Sequence, residues 1–575
     1  MSARSVPTSR STARPRTPSV SSRPNVLRRL VLLAVLVIAC APSAAPPTSA
    51  TRSGGTLVFA WQQPDTLNPL YSTGTQTNAL ALRLAVEGLV GIGPDGAPYA
   101  ALAETIPTVA NGGVTISGGA MTVRYRLRSG VVWSDGAPFD ASDVLFTWRT
   151  IMSDPRVATR EGYDQIDGID VPDDHTAVVR YRGIDPAYAM RFDAILPRHL
   201  LDGAPQSVFD DYGRKPLGTG PFRITEFAAG DHLTAERNPR YRTSGRPFLD
   251  RVIVRFVASV DAAKAQLRAG EVDAMGSLAE PDVADLEKDT TIAIASAPSP
   301  TVEAIAFNFA SPRDPANANP VLGDIVVRRA LVLATPKAQI VERLLFGRAT
   351  PAMSEIPVGW AAPAVAQESY DPAAARTMLE KDGWRPGTDG IRSKFGVRAS
   401  LRLVSTTGNA LRERVQQVLV DEWRGIGIEA TIHNVPSSTL TAGWQAGGIR
   451  KIGDFDALLA NVGLGIGSVD PQSYLAQRHR CSAIPSATNN GAGANYERFC
   501  DGRVDQLLDD AGATLDMARR ASDYAQVLTI LNEKAIAIWL YDRGRYDAFR
   551  TRVGGYQSNG WDVVTWNAQD WFVRG

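Results

Sequence analysis

The chain has 575 residues, of which 44% are hydrophobic and 21% are charged, as is typical of a globular protein with about two to four domains. Its formal net charge is +1, but seven of the 61 basic residues lie in residues 1–39, which contain no acidic residue. The remainder therefore has 54 basic and 60 acidic residues. This mildly acidic body gives no electrostatic argument for binding nucleic acid, so that class of function is set aside.

Residues 1–39 have the pattern of a removable export signal. A basic, polar segment ends at Arg28 and Arg29, and the apolar run LVLLAVLVIA follows. Ten apolar residues are too few to span a bilayer, which needs about 20. A buried strand or helix is the alternative for this run, and the arginine pair also permits a twin-arginine signal.

The signal ends in VIAC, which resembles a bacterial lipobox, so Cys40 is predicted to be lipidated and to become the new N-terminus. Residues 40–53 are rich in Ala, Pro, Ser and Thr and predict a flexible tether. One acyl chain anchors a protein weakly, so stable attachment would need several chains.

After the tether, hydrophobic periodicity predicts the elements of the first part of the chain. Residues 56–61 read as a strand, and residues 77–92 have apolar residues three and four apart, as in a helix. Residues 121–136 alternate apolar and polar side chains, as a half-buried strand pair does.

The stretch RSGVVWSDGAPFDASDVLFTW (128–148) predicts how a helix begins beside a sheet. Asp140 is placed to cap the helix, with Asp143 as its partner in a capping box. Phe139 and Val144 fall at the two positions of a hydrophobic staple. The segment is therefore predicted to be structural rather than catalytic.

Strands and helices continue to alternate along the rest of the chain, which predicts the α/β class. A glycine turn that leads into a strand is predicted in residues 216–227, and strands are predicted in residues 248–259, 398–406 and 454–462. A helix followed by a strand is predicted in residues 259–274, where the helix ends at Gly270, and again in residues 409–432. Residues 325–349 predict two helices divided near Thr335 and Pro336, and residues 370–384 predict one capped helix.

Two cysteines remain if Cys40 carries lipid. Cys481 and Cys500 flank a loop rich in Gly, Asn and Ser, and in an exported protein they predict a disulfide. Closing a loop of this size would stabilise the fold by roughly 3 kcal/mol. Two free thiols are the alternative, whereas a zinc site would lack further ligands.

No catalytic or metal-binding signature accompanies these elements. The five histidines do not form a metal-spaced pair, and the sequence has no G-x-S-x-G elbow and no P-loop. The run GLGIGS (463–468) partly imitates a dinucleotide loop but lacks the helix and the acidic residue that should follow. A large exported chain without such signatures is more naturally a receptor than an enzyme, and neither metal nor cofactor is expected.

The sequence resembles the bacterial extracellular solute-binding proteins of family 5 over essentially all of the chain after the tether. The most specific piece is LRSGVVWSDGAPFDASDVLFTW. Supporting pieces occur in the family's order: GGTLVFAWQQPDTLNPLY, ILPRHLL, PLGTGPFRI, VRRALVLATPKAQIV, YDPAAARTMLEKDGW, DPQSYL and NYERFCDGRVDQLLDDA.

The resemblance implies a two-lobed periplasmic-binding-protein fold of type II, in its large three-domain form, with a hinge and a ligand cleft between the lobes. Two chain crossings, near residues 304 and 547, would make the hinge. The implied domains are the signal with lipobox (1–39), the lipidated Cys40 and tether (40–53), a discontinuous lobe I (54–92, 216–304 and 548–575), an inserted domain II (93–215) and lobe III (305–547).

The resemblance also implies where ligand lies. The early loop STGTQ would contribute Thr73, Gly74 and Thr75, although a plain turn is the alternative there. The later loop LGIGSVDPQ would contribute Leu464, Gly467, Ser468 and Asp470.

The later loop departs from the family's pattern. Peptide-binding members have an aspartate at the place of Gly467, where it pairs with the peptide's α-ammonium, and an aromatic residue at the place of Leu464. A buried ammonium without a carboxylate partner is costly, so a free peptide N-terminus is less secure as ligand. Asp470 is the candidate substitute.

The expected function is an extracytoplasmic receptor of an ABC importer that captures a peptide or similar solute by lobe closure. Its partners would be that ligand, the permease subunits and the membrane through the lipid anchor, with the protein a monomer. It would reside in the periplasm or on the outer face of the cell membrane. Alternatives are a receptor for an oligosaccharide or metal chelate, a sensor or chaperone on the same fold, and an exported hydrolase that uses scattered carboxylates.

Overall fold

A computed structural model describes residues 53–71, 76–312, 315–365 and 369–574. Strands and helices alternate through these residues, as the sequence predicts. Most of the predicted elements are confirmed, among them the strand at Thr56–Trp61 and the helix that ends before Gly270, whose φ of +76° suits a glycine cap.

The strands are β1 (Thr56–Trp61), β2 (Val90–Ile92), β3 (Pro98–Ala100), β4 (Val114–Ser117), β5 (Ala120–Arg126), β6 (Ile166–Asp173), β7 (Thr176–Tyr181), β8 (Phe222–Ala228), β9 (His232–Arg237), β10 (Arg251–Phe256), β11 (Ala274–Met275), β12 (Ile292–Phe307), β13 (Thr350–Pro351), β14 (Arg385–Pro386), β15 (Arg392–Lys394), β16 (Val397–Arg398), β17 (Ser400–Thr406), β18 (Glu429–Val435), β19 (Ala457–Gly463), β20 (Ala537–Arg550), β21 (Val553–Gly554) and β22 (Phe572–Val573).

The helices are α1 (Gln76–Leu82), α2 (Ala141–Ser153), α3 (Arg198–Leu201), α4 (Gln206–Tyr212), α5 (Val260–Ala269), α6 (Glu280–Leu286), α7 (Ile325–Leu333), α8 (Lys337–Leu344), α9 (Pro372–Lys381), α10 (Ala410–Gly425), α11 (Ser437–Thr441), α12 (Ile449–Ile452), α13 (Gln472–His479), α14 (Gly502–Gly512) and α15 (Met517–Glu533). None of the helices in the described ranges is long and apolar enough to cross a membrane.

One large sheet runs through the molecule in the order β18-β17-β19-β12-β20-β11-β1-β10-β9-β8, with β13 paired to β20. We call the part formed by β11, β1, β10, β9 and β8 the first half, and the part formed by β18, β17 and β19 the second half. Each half packs its own apolar clusters. The two central strands, β12 and β20, belong to both halves.

The antiparallel pairing of β12 with β20 is interrupted where the chain passes from one half to the other. Pro298 pairs with Gly544, and the next pairing is Val302 with Asp542. Pro298 and Pro300 have no N–H group to donate to a ladder, so the sequence SAPSPTV itself imposes the break.

A separate four-stranded sheet, β4-β5-β7-β6, lies in the segment between β3 and β8. Beside it, Asp140 caps α2 by accepting the Ser142 N–H at 2.7 Å, and Asp143 accepts the Asp140 N–H at 3.1 Å. Phe139 and Val144 are buried in one cluster with Trp133. The predicted capping box and structural role of this stretch are confirmed.

The helix predicted over residues 77–92 is wrong beyond Leu82, where α1 ends. Backbone partners from distant segments take over there: Ala85 O accepts the Gly220 N–H, and the Leu89 N–H donates to Phe192 O. At Gly88 a Cβ would lie 2.5 Å from the Asp193 backbone. These long-range bonds outcompete the local helical pattern.

Candidate functional site

The first half offers a crevice where its parallel strands end. β1 runs parallel to both β10 and β11, and ligands of open α/β sheets bind outside such carboxyl ends. A pocket of about 170 Å³ lies there, with Trp61, Gln62, Gly276 and Ser277 among its lining residues. A Cβ at Gly276 would stand 3.2 Å from the Trp61 ring, so glycine keeps this crevice open.

A buried charged pair on β20 lies next to this pocket. The Asp547 carboxylate accepts the Ser277 N–H at 3.2 Å and the Ser558 hydroxyl at 2.7 Å. The Arg545 Nε stands 3.6 Å from the same carboxylate, too far for a hydrogen bond. Among the described residues, Arg545 Nε and Nη2 have no hydrogen-bond partner. Burial, followed by the charge of Asp547, raises the pKa of Tyr556 well above its usual range.

A second charged group joins the two halves across the strand break. Arg543 Nη2 lies 3.5 Å from Glu280 at the start of α6, and its Nη1 lies 3.8 Å from Glu303 on β12. Glu303 also accepts from Arg412 Nε of α10 at 2.5 Å. Both glutamates are almost fully buried, so the arginines offset charges that would otherwise be costly.

The loop after β19, which we call the 463–470 loop, reaches the crossing strands and the first half. The Leu464 N–H donates to Pro300 O at 3.0 Å, and the Gly467 N–H donates to Trp561 O at 2.9 Å. The Ile466 side chain packs against the core of the first half. The structure thus brings two predicted residues, Leu464 and Gly467, to the meeting place of the two halves, and the predicted Ser468 follows them in the loop.

Leu464, Gly467 and Ser468 differ in their burial and in the space around their side chains. Leu464 is 3% exposed and belongs to an apolar cluster, so it is mainly a packing residue. Gly467 has a φ of +79°, and no heavy atom lies within 4 Å of where its Cβ would stand. The Ser468 hydroxyl lies 3.4 Å from Asp470 O. Thr73, Gly74 and Thr75 lie outside the described residues, so their predicted contact with ligand stays a prediction.

Asp470 forms an ion pair with Arg520 of the second half. Its two oxygens accept from Arg520 Nη1 and Nη2, each at 2.6 Å, in a bidentate pair. Arg520 is 1% exposed, and its Nη2 also donates to the Tyr524 hydroxyl at 2.7 Å. Asp470 therefore anchors one end of the 463–470 loop, and its use as an ammonium partner stays a prediction.

The other end of the loop is held by a buried ionic cluster around Glu355. The Tyr474 hydroxyl accepts the Gly463 N–H at 2.8 Å and donates to Glu355 at 2.6 Å. Glu355 also contacts His479 Nε2 at 2.5 Å and Arg478 Nε at 2.6 Å. Burial opposes ionisation of Glu355, but the charges of His479 and Arg478 outweigh it and lower its pKa to about 2.

The cysteines near this loop are paired. Cys481 and Cys500 form a disulfide with Cα atoms 4.7 Å apart, in the segment that follows α13. Cys40, the predicted lipidation site, lies outside the described residues. Within the described ranges, no group of three or more His, Cys, Asp or Glu side chains is arranged to hold a metal ion.

Several polar groups of the site were missed by the sequence analysis. The strand sequence AIWLYDRGRYDAFR carries Asp542, Arg543, Arg545 and Asp547 between apolar residues in the middle of the strand, and this pattern was the available signal. Burial raises the pKa of Asp542 to about 6. Burying charges in a central strand costs free energy unless they are paired or take part in function, so this pattern indicates a candidate site.

Comparisons with known proteins agree with the described fold. The sequence model of the family described as "Bacterial extracellular solute-binding proteins, family 5 Middle" matches residues 98–485, more than half of the chain. The oligopeptide-binding protein AppA of Bacillus subtilis is 26% identical over 551 residues, which cover 92% of this chain and 95% of that protein.

Solved structures give the same result. AppA from Bacillus subtilis in complex with a nonapeptide has a TM-score of 0.70 at 25% identity, covering 92% of this chain and 100% of that chain. NikZ from Campylobacter jejuni in complex with Ni(L-His) has a TM-score of 0.73 at 22% identity, covering 91% and 100%. These likenesses confirm the predicted solute-binding fold.

Proposed function

Since the chain belongs to the bacterial extracellular solute-binding proteins of family 5, we propose that it captures a peptide or similar small solute between the halves of its sheet. It is the substrate-binding receptor of an ABC importer, and the closed, loaded form would be delivered to the permease subunits. Its action would be binding without catalysis.

The observation that carries this proposal is the meeting of both halves around the strand break. The pocket beside Trp61 and Gly276 belongs to the first half, and the 463–470 loop comes from the second half. The break between Pro298 and Val302 interrupts the ladder that links the halves. Such an arrangement supports hinge closure around a solute, with the hinge at this break. The implied boundaries of lobes I and III and of domain II are part of the proposal.

A peptide is the proposed class of solute because a relative that aligns with 92% of this chain is named as an oligopeptide-binding protein. The unused donors of Arg545 and the carboxylate of Asp547 suit a polar, hydrogen-bonding solute. Gly467 favours the alternatives, an oligosaccharide or a metal chelate, because no carboxylate stands there for a peptide ammonium.

The proposed location is the extracytoplasmic face of the cell membrane or the periplasm. Residues 1–39 would be removed, Cys40 would carry lipid, and residues 40–53 would tether the receptor as a monomer. The family's extracellular character and the signal-like N-terminal sequence support this location.

Thermal unfolding of the purified full chain in the presence of candidate solutes tests the proposal. An equimolar set of peptides, a set of oligosaccharides and nickel with L-histidine are the probes. A bound solute raises the unfolding temperature by mass action, so peptides are expected to raise it and to remain unaltered. Stabilisation by oligosaccharides or the nickel chelate alone would select an alternative. Hydrolysis of a probe, lost on mutating Asp547, would refute the receptor proposal.

A further inference from the structure

The 463–470 loop sends an apolar side chain across to the opposite half. Ile466 is half-buried and packs against the core of the first half, which includes Leu57, Phe59, Val252, Val254 and Trp571. By contrast, Leu464 and Val469 of the same loop pack in a cluster that contains Tyr524 and Trp539 together with Ile92 and Trp561. Within this fully described loop, Ile466 is therefore the side chain that packs on the core around Phe59 and Trp571.

Open space flanks this side chain. At Gly465 and at Gly467, no heavy atom lies within 4 Å of the place that a Cβ would occupy. Gly467 has a φ of +79°, a conformation that glycine adopts without strain, and its N–H is bonded to Trp561 O. The two glycines thus let the loop cross to the first half while leaving room beside Ile466.

A solute that occupied the open space beside Gly465 and Gly467 would lie against the Ile466 side chain. No charged side chain stands at Gly467 to recognise a charged end, and Asp470 is occupied by Arg520. For a solute bound beside Gly467, recognition would therefore depend on shape and apolar contact. An isoleucine side chain is bulky and restricted at χ1, so it would form a rigid boundary of the space that a solute could occupy.

We propose that Ile466 is an apolar contact through which the 463–470 loop closes on the core of the first half, and that it limits the size of the solute held there. The inference about size rests on the proposed function, whereas the closing contact can be examined without any solute. Both parts of this proposal follow from the local sequence, in which Ile466 lies between Gly465 and Gly467.

Replacing Ile466 by Ala removes three carbon atoms from this boundary and from the closing contact. Solutes that fit the wild type should then bind about tenfold or more weakly, by the usual value of buried methylene groups. Solutes larger by roughly one small side chain should gain access to the space that is freed. Val469→Ala is the matched control, because it shortens a half-buried side chain of the same loop that packs on the other cluster.

The first measurement is native mass spectrometry of the purified full chain with an equimolar library of peptides two to six residues long. Wild type and V469A should retain the same lengths, and I466A should shift the best-retained length upward by at least one residue. An unchanged length profile in I466A, or the same shift in V469A, would overturn the size limit. If wild type retains no peptide, the peptide form of the proposed function fails instead.

The second measurement is small-angle X-ray scattering without added solute, which separates the two failures. I466A should have a larger radius of gyration than wild type and V469A, because it loses a contact between the halves. Equal radii for all three proteins would overturn the closing contact whether or not peptides bind. Circular dichroism confirms that both variants are folded.

Discussion

The start of α2 and the 463–470 loop hold their backbones in place in opposite ways. At α2, the capping bonds of Asp140 and Asp143 and the staple of Phe139 and Val144 join residues within five positions of one another. At the 463–470 loop, Gly467 bonds to Trp561, and Leu464 bonds to Pro300. The first region is specified by local chemistry, whereas the second is specified by segments that only the completed fold brings near.

The difference bears on how each region tolerates change. A locally specified segment is stable but has little freedom to vary. The loop is fixed at its ends, by Tyr474 and Glu355 on one side and Arg520 on the other, while its middle carries glycines beside open space. Substitutions at α2 and at the loop's anchors should therefore change stability, and substitutions in the loop's middle should change the ligand.

The largest loss should come from Trp133→Ala beside α2. Trp133 is 1% exposed, packs edge-on against Phe139 and donates to Asp143 at 3.2 Å. Removing a buried indole should lower the free energy of unfolding by about 4 kcal/mol without altering which solutes bind. Urea unfolding measures the loss. Ile116→Ala, in an exposed position of the neighbouring sheet, is the control, and an equal loss there would contradict the assignment.

Next in size is Arg520→Met, which removes one anchor of the loop. It leaves the Asp470 carboxylate, which is 10% exposed, without its bidentate partner, so a loss of about 3 kcal/mol in the free energy of unfolding is expected. Arg519→Met is the matched control, because that neighbour is 58% exposed and its ion pairs span 3.8 Å and 4.0 Å. Similar unfolding curves for the two variants would show that Asp470 does not need Arg520.

A smaller, pH-dependent effect is expected at the other anchor. Glu355 has its pKa lowered to about 2 in the fold, from an ordinary value of 4.5. The stability that its ionised form contributes is thus present above about pH 4.5 and is lost as the pH falls towards 2. The difference in unfolding free energy between wild type and Glu355→Gln should shrink by about 2 kcal/mol between pH 5 and pH 3.

Urea unfolding at several pH values measures this difference. Subtracting the unfolding free energy of the variant from that of wild type at each pH removes the contribution of the other carboxylates, which titrate in both proteins. A difference that stays constant from pH 5 to pH 3 would mean that Glu355 is not held ionised by His479 and Arg478.

Loss of the helix cap should be smaller again. Asp140→Ala removes the acceptor for the Ser142 N–H, and such caps contribute about 1 kcal/mol. The neighbouring Ser142→Ala, which keeps the capping bond, should change stability by less than about 0.5 kcal/mol. Thermal unfolding distinguishes them, and equal midpoints would show that the cap contributes nothing measurable.

The smallest effect on stability should come from Gly467→Asp, although its effect on the ligand should be large. Aspartate tolerates the left-handed region and finds open space there, so the cost should stay under about 1 kcal/mol. The new carboxylate should favour peptides with a free ammonium over their N-acetylated forms, as seen by native mass spectrometry. Gly467→Ala introduces the strain without the charge, and it should leave that preference unchanged.

Much of the fold was readable from the sequence because its signals are local. The periods, caps and prolines that predict β1, α5 and the division between α7 and α8 act within a few residues. The prediction of a helix beyond Leu82 was wrong because Gly220 and Phe192 supply backbone hydrogen-bond partners from far along the chain. The site was less readable for the same reason: nothing near Asp470 in sequence indicates its pairing with Arg520, and nothing near Asp547 indicates its bonds to Ser277 and Ser558.

The position of β20 has a consequence for the order in which the protein can fold. This strand, Ala537–Arg550, pairs with β11, β12 and β13, so it occupies the centre of the large sheet although it is the last long strand of the chain. Synthesis proceeds from the N-terminus, so the centre of the sheet stays empty until nearly all of the chain has emerged. Pairings between such distant segments form slowly. Chains that end before residue 537 would leave β11 and β12 with exposed edges, which are prone to aggregate.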